Sequence, residues 1–433
     1  MKISLILTFN LSLLYAKKMS GSMLKNIWLP YTQMQTCNNP VIAENTKGSV
    51  ITLQDGTELI DGIASWWTAC HGYNHPYIAN HVQQQLRKMP HIMFGGMVHK
   101  PAINLSAKLA ELLPGDLNKV FFTESGSVAV EVAMKMAIQF WLNQNKMAKT
   151  KILSFYGGYH GDTMATMAVC DPEEGMHHLF KDVLPHQHII ALPTTKELQQ
   201  QFSHFLENHH QETAAMLIEP LVQGAGGMLF HDPEILLFLR QQADHYNVLL
   251  IFDEIFTGLG RTGSLFSCNQ ADIVPDIITL SKALSGGTMA LAATIARERI
   301  FSGFLSDKES HALMHGPTFM ANPLACSCAN ASLDLFNQYD WKNNVKKIEA
   351  QLSEELSICR QLEVVKDVRV KGAIGVVELY KIENMNLLKK QLLQHKVWIR
   401  PFRNILYLTP SFTITTAELS QLTRAIYEVL IQL

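Results

Sequence analysis

The feature that most constrains this chain is an alternation through its middle. Short runs rich in β-branched, aromatic and leucine residues (KVFF at 119–122, KILSF at 151–155, AAMLIEP at 214–220, NVLLIFDE at 247–254, DIITLSK at 276–282) are separated by longer amphipathic stretches such as SVAVEVAMKMAIQFW. Parallel strands need helical crossovers, so this alternation predicts an α/β fold built on a mainly parallel, doubly wound sheet. After Asn322-Pro323 the pattern turns helical, with one long polar helix expected through about Cys359. A small α+β region follows, in DVRVKGAIGVVELY and HKVWIRPFRNILYLTP.

A chain of 433 residues, at roughly 150 residues per domain, has room for two or three domains. The expected division is a large domain over 64–335 and a smaller α+β domain made of 23–63 and 336–433, joined by the segment preceding Trp66. No internal repeat or low-complexity tract interrupts it. The first 22 residues stand apart. MKISLILTFNLSLLYAKKMSGSM has the outline of a signal peptide, but Thr8, Asn10 and Ser12 break its apolar run from Ile3 to Ala16. That run is also shorter than the ~20 residues of a membrane span. Residues 1–22 are expected to be an over-long start or a disordered extension.

Charge and cysteine content exclude several classes. The net charge is −2 and no run of Lys/Arg is longer than a pair, so neither a nucleic-acid groove nor a polybasic membrane surface is expected. Hydrophobic residues make up 47% and charged ones 17%, which rules out disorder as the main state. Seven scattered cysteines without a C-x-x-C pair point to neither a disulfide framework nor a zinc site, and to a reducing, cytoplasmic setting. No metal is expected. The His177/His178 and His209/His210 pairs lack H-E-x-x-H spacing and a third ligand, and read as solvated polar residues. Gly258-Leu-Gly260-Arg-Thr-Gly263 fits G-x-G-x-x-G, but five residues, Asp253 to Thr257, intervene after the apolar strand and SLFSCNQADIVPD is a poor following helix. A dinucleotide site is therefore rejected. Neither a nucleophile elbow nor a phosphate-binding lysine loop is present, which removes serine-hydrolase and NTPase readings.

In open α/β sheets ligands sit beyond the carboxyl ends of the strands. Asp253 stands at the end of VLLIFD, and Lys282 just after IITLS. Alone, the first reads as a helix cap and the second as a solvated loop lysine. Together they match a cofactor that forms a Schiff base with a lysine and needs its pyridine nitrogen kept protonated, as pyridoxal phosphate does. A shielded Lys282 would have a lowered pKa and serve as nucleophile and proton carrier. Ser125-Gly126-Ser127 precedes a helix expected from near Val128, so free N–H groups, the helix dipole and two hydroxyls would converge on one phosphate. Tyr159, in GGYHGDT, is placed to stack on the ring, unless it is simply packed on the surface.

The strings WLPYTQM, ASWWTACHGYNHP, MFGG, ESGSVAVEVAMKMA, GYHGDTMATMAVCDP, IEPLVQGAGGM, DEIFTGLGRTG, LSKALSGGTM, MHGPTFMANPLAC, VRVKGAIGVVE and VWIRPF occur in order from residue 28 onward. Together they closely resemble the class III pyridoxal-phosphate-dependent aminotransferases. The SWW, MHGPTFMANPLAC and VWIRPF strings are nearest the members of that family that act on 8-amino-7-oxononanoate in biotin biosynthesis. The resemblance implies the fold-type I architecture, a homodimer with sites at the subunit interface, and S-adenosylmethionine and 8-amino-7-oxononanoate as substrates. It also makes Lys282 and Asp253 the catalytic pair. Gly126, Ser127 and Tyr159 would bind the cofactor, with Pro317 and Thr318 reaching the phosphate from the neighbouring subunit. Tyr31, Trp66, Gly316 and Arg400 would contact substrate, with Tyr407 nearby and Tyr159 and Lys282 shared between substrate and cofactor.

Those roles suit the chemistry. An apolar chain ending in a carboxylate would lie on Trp66 and Trp67 while Arg400 grips its end with a bidentate fork; otherwise the tryptophans are core and the arginine surface. Gly157, Phe256 and Leu259 depart from the family's usual residues and bear on donor preference, not on reaction type. A related aminotransferase taking its nitrogen from lysine or another ω-amine is the alternative within the class. A cofactor-binding protein without activity is the alternative outside it.

Overall fold

The structure is a computed structural model that describes residues 26–37, 39–173 and 177–433. The extension expected over residues 1–22 lies outside the described residues. The predicted alternation becomes a seven-stranded sheet in the order Leu117–Thr123, Ala292–Arg297, Ile277–Leu280, Leu249–Asp253, Thr213–Ile218, Lys151–Phe155, His188–Ile190. Only Ala292–Arg297 runs against the others.

The side-chain period of two sorts this sheet between two cores. Leu249 and Ile251 join Ala215, Leu217 and Ile277 beneath the helix Gly126–Asn143. Leu250 and Phe252 face the other way, into the cluster that holds Phe202 and Leu206 of the helix Lys196–His209 and Leu236 and Leu239 of Pro233–Tyr246. Both faces are covered, which is why the strands read as unbroken apolar runs. Each fully buried Leu, Ile or Phe contributes about 1.5–3 kcal/mol. The helix Gly126–Asn143 starts where Ser125 accepts the Val128 N–H, and Trp141 ties it to the sheet by donating to the Ala214 carbonyl at 2.8 Å.

The two chain ends build the remaining sheets together. Ala43–Lys47, Val50–Leu53 and Glu58–Asp61 form a meander to which Val397–Trp398 adds in parallel, with Val397 opposite Ile60 and Trp398 opposite Asp61. A three-stranded antiparallel sheet (Val365–Lys371, Ile374–Leu379, Ile405–Leu408) packs beside the helices Trp341–Leu356 and Thr416–Leu430, the latter opened by a Thr415/Glu418 capping box.

The single long helix expected after Pro323 is in fact two, Pro323–Leu335 and Trp341–Leu356. The break is built from the intervening residues. Phe336 packs edge-on against Trp341, Tyr339 bonds His71 Nδ1 at 2.8 Å, and Asp340 accepts the Asn343 N–H to cap the second helix. Among the described residues no helix is long and apolar enough to cross a membrane.

Candidate functional site

Parallel strands all end on one edge of the sheet, and the chemistry-bearing residues collect there. Asp253 closes its strand, Glu219 follows Thr213–Ile218 directly, Lys282 follows Ile277–Leu280, and Ser125-Gly126 follows Leu117–Thr123. Lys282 opens a short 3-10 turn with φ of +46°, a left-handed conformation that costs a non-glycine residue and is held here by the surrounding packing. It sits at the floor of a cleft of about 380 Å³ lined by Glu124, Ser125, Gly126, Ser281, Thr288 and Leu291 among others.

Its ammonium lies 4.1 Å from the Trp67 ring centre and 5.9 Å from that of Phe256. Burial pushes the Lys282 pKa down to about 8, against the opposing pull of Asp253, Glu219 and Asp162. Among the described residues it makes no ion pair.

Asp253 is buried and accepts three hydrogen bonds. His160 Nδ1 lies 2.8 Å from its Oδ2, and since a carboxylate only accepts, that nitrogen carries the hydrogen. The Ile255 N–H and the Thr279 hydroxyl donate to Oδ1 at 3.2 and 3.3 Å. Behind this pair Glu219 accepts the Tyr159 and Gly224 N–H groups at 2.9 and 3.0 Å. Its carboxyl is pushed up to about 7, first by burial and then by the Asp253 charge, against the pull of His160.

The Gly158–Thr163 loop closes the next wall. Gly161 has φ of +128°, and a Cβ there would stand 2.2 Å from Ser127 Oγ, so only glycine lets the loop lie on the helix start. Ser127 turns its hydroxyl into this contact, bonding Thr163 and Thr166 at 2.9 and 3.0 Å, while Ser125 and Gly126 line the cleft. Tyr159 donates to Asp162 at 2.8 Å, Tyr31 donates to the other oxygen of the same carboxylate, and the two hydroxyls are 3.4 Å apart. Burial of Asp162 is outweighed by hydrogen bonds from His177, Tyr31 and Tyr159, which hold its carboxyl below the usual range.

Trp66 and Trp67 come from an unusual turn. Ala64, Ser65, Trp66 and Trp67 have φ of 45, 50, 58 and 72°, one turn of left-handed helix. Buried Asp61 fastens it, accepting the Ile63 and Ser65 N–H groups at 2.8 Å each and the Tyr73 hydroxyl at 2.6 Å. Trp67 is buried against Phe256 (centroids 4.1 Å) and Tyr407 (6.1 Å). Trp66 stays partly exposed, edge-on to Tyr31 at 6.1 Å, with the Arg400 guanidinium over its ring at 4.8 Å. Arg400 makes no ion pair among the described residues.

The structure thus gathers Lys282, Asp253, Gly126, Tyr159, Tyr31, Trp66, Trp67, Arg400 and Tyr407 at or around one edge. Gly316, Pro317 and Thr318 lie in the largely exposed loop before the Pro323–Leu335 helix and are not among the residues lining the cleft. His177, expected to be solvated, is instead buried. It pairs with Asp162 at 3.2 Å, bonds the Gly161 carbonyl at 3.1 Å and stacks on Tyr159, contacts that together cover its ring.

Sequence reasoning missed His160, Asp162 and Glu219 as site residues. The rule that found Asp253 and Lys282, a polar residue just past each apolar run, would also have found Glu219. His160 and Asp162 flank Tyr159 in the same string.

Comparison with known proteins adds three findings. The family model described as "Aminotransferase class-III" matches residues 31–430. The chain is 42% identical over 414 residues to the adenosylmethionine-8-amino-7-oxononanoate aminotransferase of Mycobacterium leprae (strain TN), covering 93% of this chain and 94% of that one. Among solved structures it is similar to the adenosylmethionine-8-amino-7-oxononanoate aminotransferase of Methanocaldococcus jannaschii, with a TM-score of 0.91 and 30% identity over 96% of this chain and 99% of that one. It is also similar to the PLP-bound form of an amine transaminase from an uncultivated Pseudomonas species, with a TM-score of 0.87 and 27% identity over 94% and 98% of the two chains.

Proposed function

The chain belongs to the aminotransferase class-III family, and from that premise we propose that it transfers an amino group from S-adenosylmethionine to the keto carbon of 8-amino-7-oxononanoate, giving 7,8-diaminononanoate for biotin biosynthesis. The observation that carries the assignment to this substrate is Arg400, an unpaired guanidinium laid over the half-exposed Trp66 ring. A flat apolar face ending in a free bidentate cation suits an alkyl chain ending in a carboxylate.

The residues present fit pyridoxal phosphate. A buried lysine amine without a salt-bridge partner stands at the floor of a cleft, a hydrogen-bonded carboxylate lies close behind it, and the start of an 18-residue helix opens on the cleft's wall. When bound, the cofactor supplies an aldehyde that takes up the donor's nitrogen and a protonated ring that draws electron density from the reacting carbon.

The protein's own part is proton handling and positioning. Lys282 Nζ, readily deprotonated because it is desolvated, takes the proton from the donor's α-carbon and returns it on the other side of the transfer. In the second half-reaction the same amine works in reverse on the carbon that began as the keto group. Asp253, held by His160, Thr279 and the Ile255 N–H, would keep the pyridine nitrogen protonated. Ser125, Gly126 and Ser127 would hold the phosphate with backbone N–H groups, and Tyr159 would cover the ring. Trp66 and Trp67 exclude water along the substrate's chain, and Arg400 fixes its far end.

On this reading the enzyme is a homodimer. The loop with Gly316, Pro317 and Thr318 serves the neighbour's phosphate, which is supported by the exposed Met314 and Phe319 at its two ends. A reducing, cytoplasmic setting is supported by seven cysteines that are all free.

The test is product formation from 8-amino-7-oxononanoate by cofactor-loaded protein offered S-adenosylmethionine, lysine or glutamate separately. Diaminononanoate is expected with S-adenosylmethionine. Product with lysine alone would change the donor, and no product with any donor would overturn the assignment.

A further inference from the structure

The edge of the large sheet opposite the Lys282 cleft, where the parallel strands begin, gathers a second set of chemically capable side chains. His188 is the first residue of the edge strand His188–Ile190, His209 is the last residue of the helix Lys196–His209, and Glu212 lies in the turn before the strand Thr213–Ile218. Three segments thus converge on one point. Glu212 Oε1 is 2.7 Å from His209 Nδ1 and 3.2 Å from His188 Nε2, and one ligating atom from each residue lies within 4.8 Å of the other two.

We propose that His188, His209 and Glu212 form a binding site for a divalent transition-metal ion of the zinc class, with water completing the coordination. Two imidazole nitrogens and one carboxylate oxygen are the donor set that zinc prefers, whereas magnesium and calcium take oxygen ligands. With bonds of about 2.0–2.2 Å, a tetrahedral ion wants its ligand atoms roughly 3.3 Å apart. The Glu212 oxygen stands slightly inside that spacing from both ring nitrogens, at 2.7 and 3.2 Å, so small side-chain rotations close the site.

A hydrogen-bonded His–Glu–His cluster is the competing explanation, and one atom argues against its being sufficient. His188 Nε2 is buried and stands 3.2 Å from the Glu212 carboxylate without hydrogen-bond alignment. A misaligned ring nitrogen beside a carboxylate is one that a shared cation would satisfy. The walls are already set for one: Phe205 stacks on His209 at 4.4 Å and stands edge-on to His188 at 5.1 Å, fixing both rings. Among the described residues no cysteine belongs to the cluster, so no softer ligand competes within it. An ion here would pin the sheet's edge strand to a helix end and to the turn beside it, closing an edge that otherwise invites pairing with another chain.

The test titrates zinc ion into chelator-treated holoenzyme, and cobalt ion in parallel for its visible tetrahedral band. One zinc per chain is expected, in the micromolar range or tighter, together with a cobalt band. His188→Gln and His209→Gln should each weaken zinc binding at least ~10-fold, and the double variant should lose the cobalt band. His204→Gln, at an exposed histidine outside the cluster, should change neither. Aminotransferase turnover equal to wild type would show that the variants are folded. Equal zinc affinity in wild type and the double variant, or a cobalt band that survives both substitutions, would overturn the proposal.

Discussion

Lys282 must be buried enough to lose its proton and free enough to move. Its left-handed backbone aims the side chain into the cleft rather than back along the strand, and desolvation lowers its pKa to about 8. Lys282→Ala should cut turnover by more than ~10³-fold while the protein stays folded; ordinary turnover would remove this residue from the mechanism.

The same shift makes a stability prediction for cofactor-free protein. The folded-state pKa is about 8 and that of a free lysine 10.5. Below both values each state holds the proton, and the folded state bears the cost of a buried charge, roughly 3 kcal/mol. Between them the unfolded chain binds more protons, so stability rises with pH. Relative to Lys282→Met, the wild type should therefore gain stability from about pH 8 to 10.5 and be the less stable of the two at pH 7. Denaturant titrations across that range would show it, and a flat difference would contradict it. Neighbouring groups respond to the same burial: Glu254, which accepts the Ser267 and Cys268 N–H groups, is pushed up to about 7. Which titratable residues are sunk this deeply was legible only in part, because the order of residues along a strand shows where it ends but not how much protein covers that end.

Among the elements, the turn Ala64–Trp67 carries the most tension. Left-handed helix costs about 1–2 kcal/mol per non-glycine residue, and here it runs through alanine, serine and two tryptophans in succession. Nothing in ASWW announces it. The string reads as an ordinary apolar pair, and only the carboxylate of Asp61, reaching forward to Ile63 and Ser65 and across to Tyr73, makes the conformation affordable. Asp61→Asn keeps the shape but replaces one acceptor oxygen with a donor. It should raise KM for the keto substrate about 10-fold or more, since displacement of a positioning group by ~1 Å can cost 10²-fold, and should change kcat less. Tyr73→Phe, which removes one donor, should do the same more weakly. A loss confined to thermal stability, with KM unmoved in both, would make Asp61 a purely structural residue. The large sheet's strands, by contrast, were legible from apolar runs because burial on both faces leaves no other composition open to them. The break between the helices Pro323–Leu335 and Trp341–Leu356 was not, since the turn at Phe336–Asp340 is set by packing on the adjacent Trp341 and on His71 and Phe412 from distant parts of the chain.

Across the whole molecule, the substrate end of the site depends on a join between the two chain ends. Trp66 follows the strand Glu58–Asp61 and Arg400 follows Val397–Trp398; those strands pair in parallel with Asp61 opposite Trp398, so the register carries the tryptophan and the arginine to within 4.8 Å. A slip of one residue would turn every side chain of the short strand to the other face and separate them. More than 300 residues of sequence lie between the partners, and no local pattern encodes that pairing. Only the resemblance placed both residues at one substrate.

If the join exists to present a carboxylate clamp, the loss of Arg400 has a signature that general damage lacks. Wild type should prefer the free acid of the keto substrate to its methyl ester by a wide margin. Arg400→Met should lower kcat/KM for the acid by about 10²-fold, on the order of the 1.5–3 kcal/mol of a charge-assisted hydrogen-bonded pair, and should leave the ester nearly unchanged. Arg400→Lys should recover part of the loss, because a point charge replaces a planar fork. Equal losses on acid and ester would mean that Arg400 supports the fold around Trp66 rather than the substrate's carboxylate, and the clamp would then have to be sought elsewhere in the cleft.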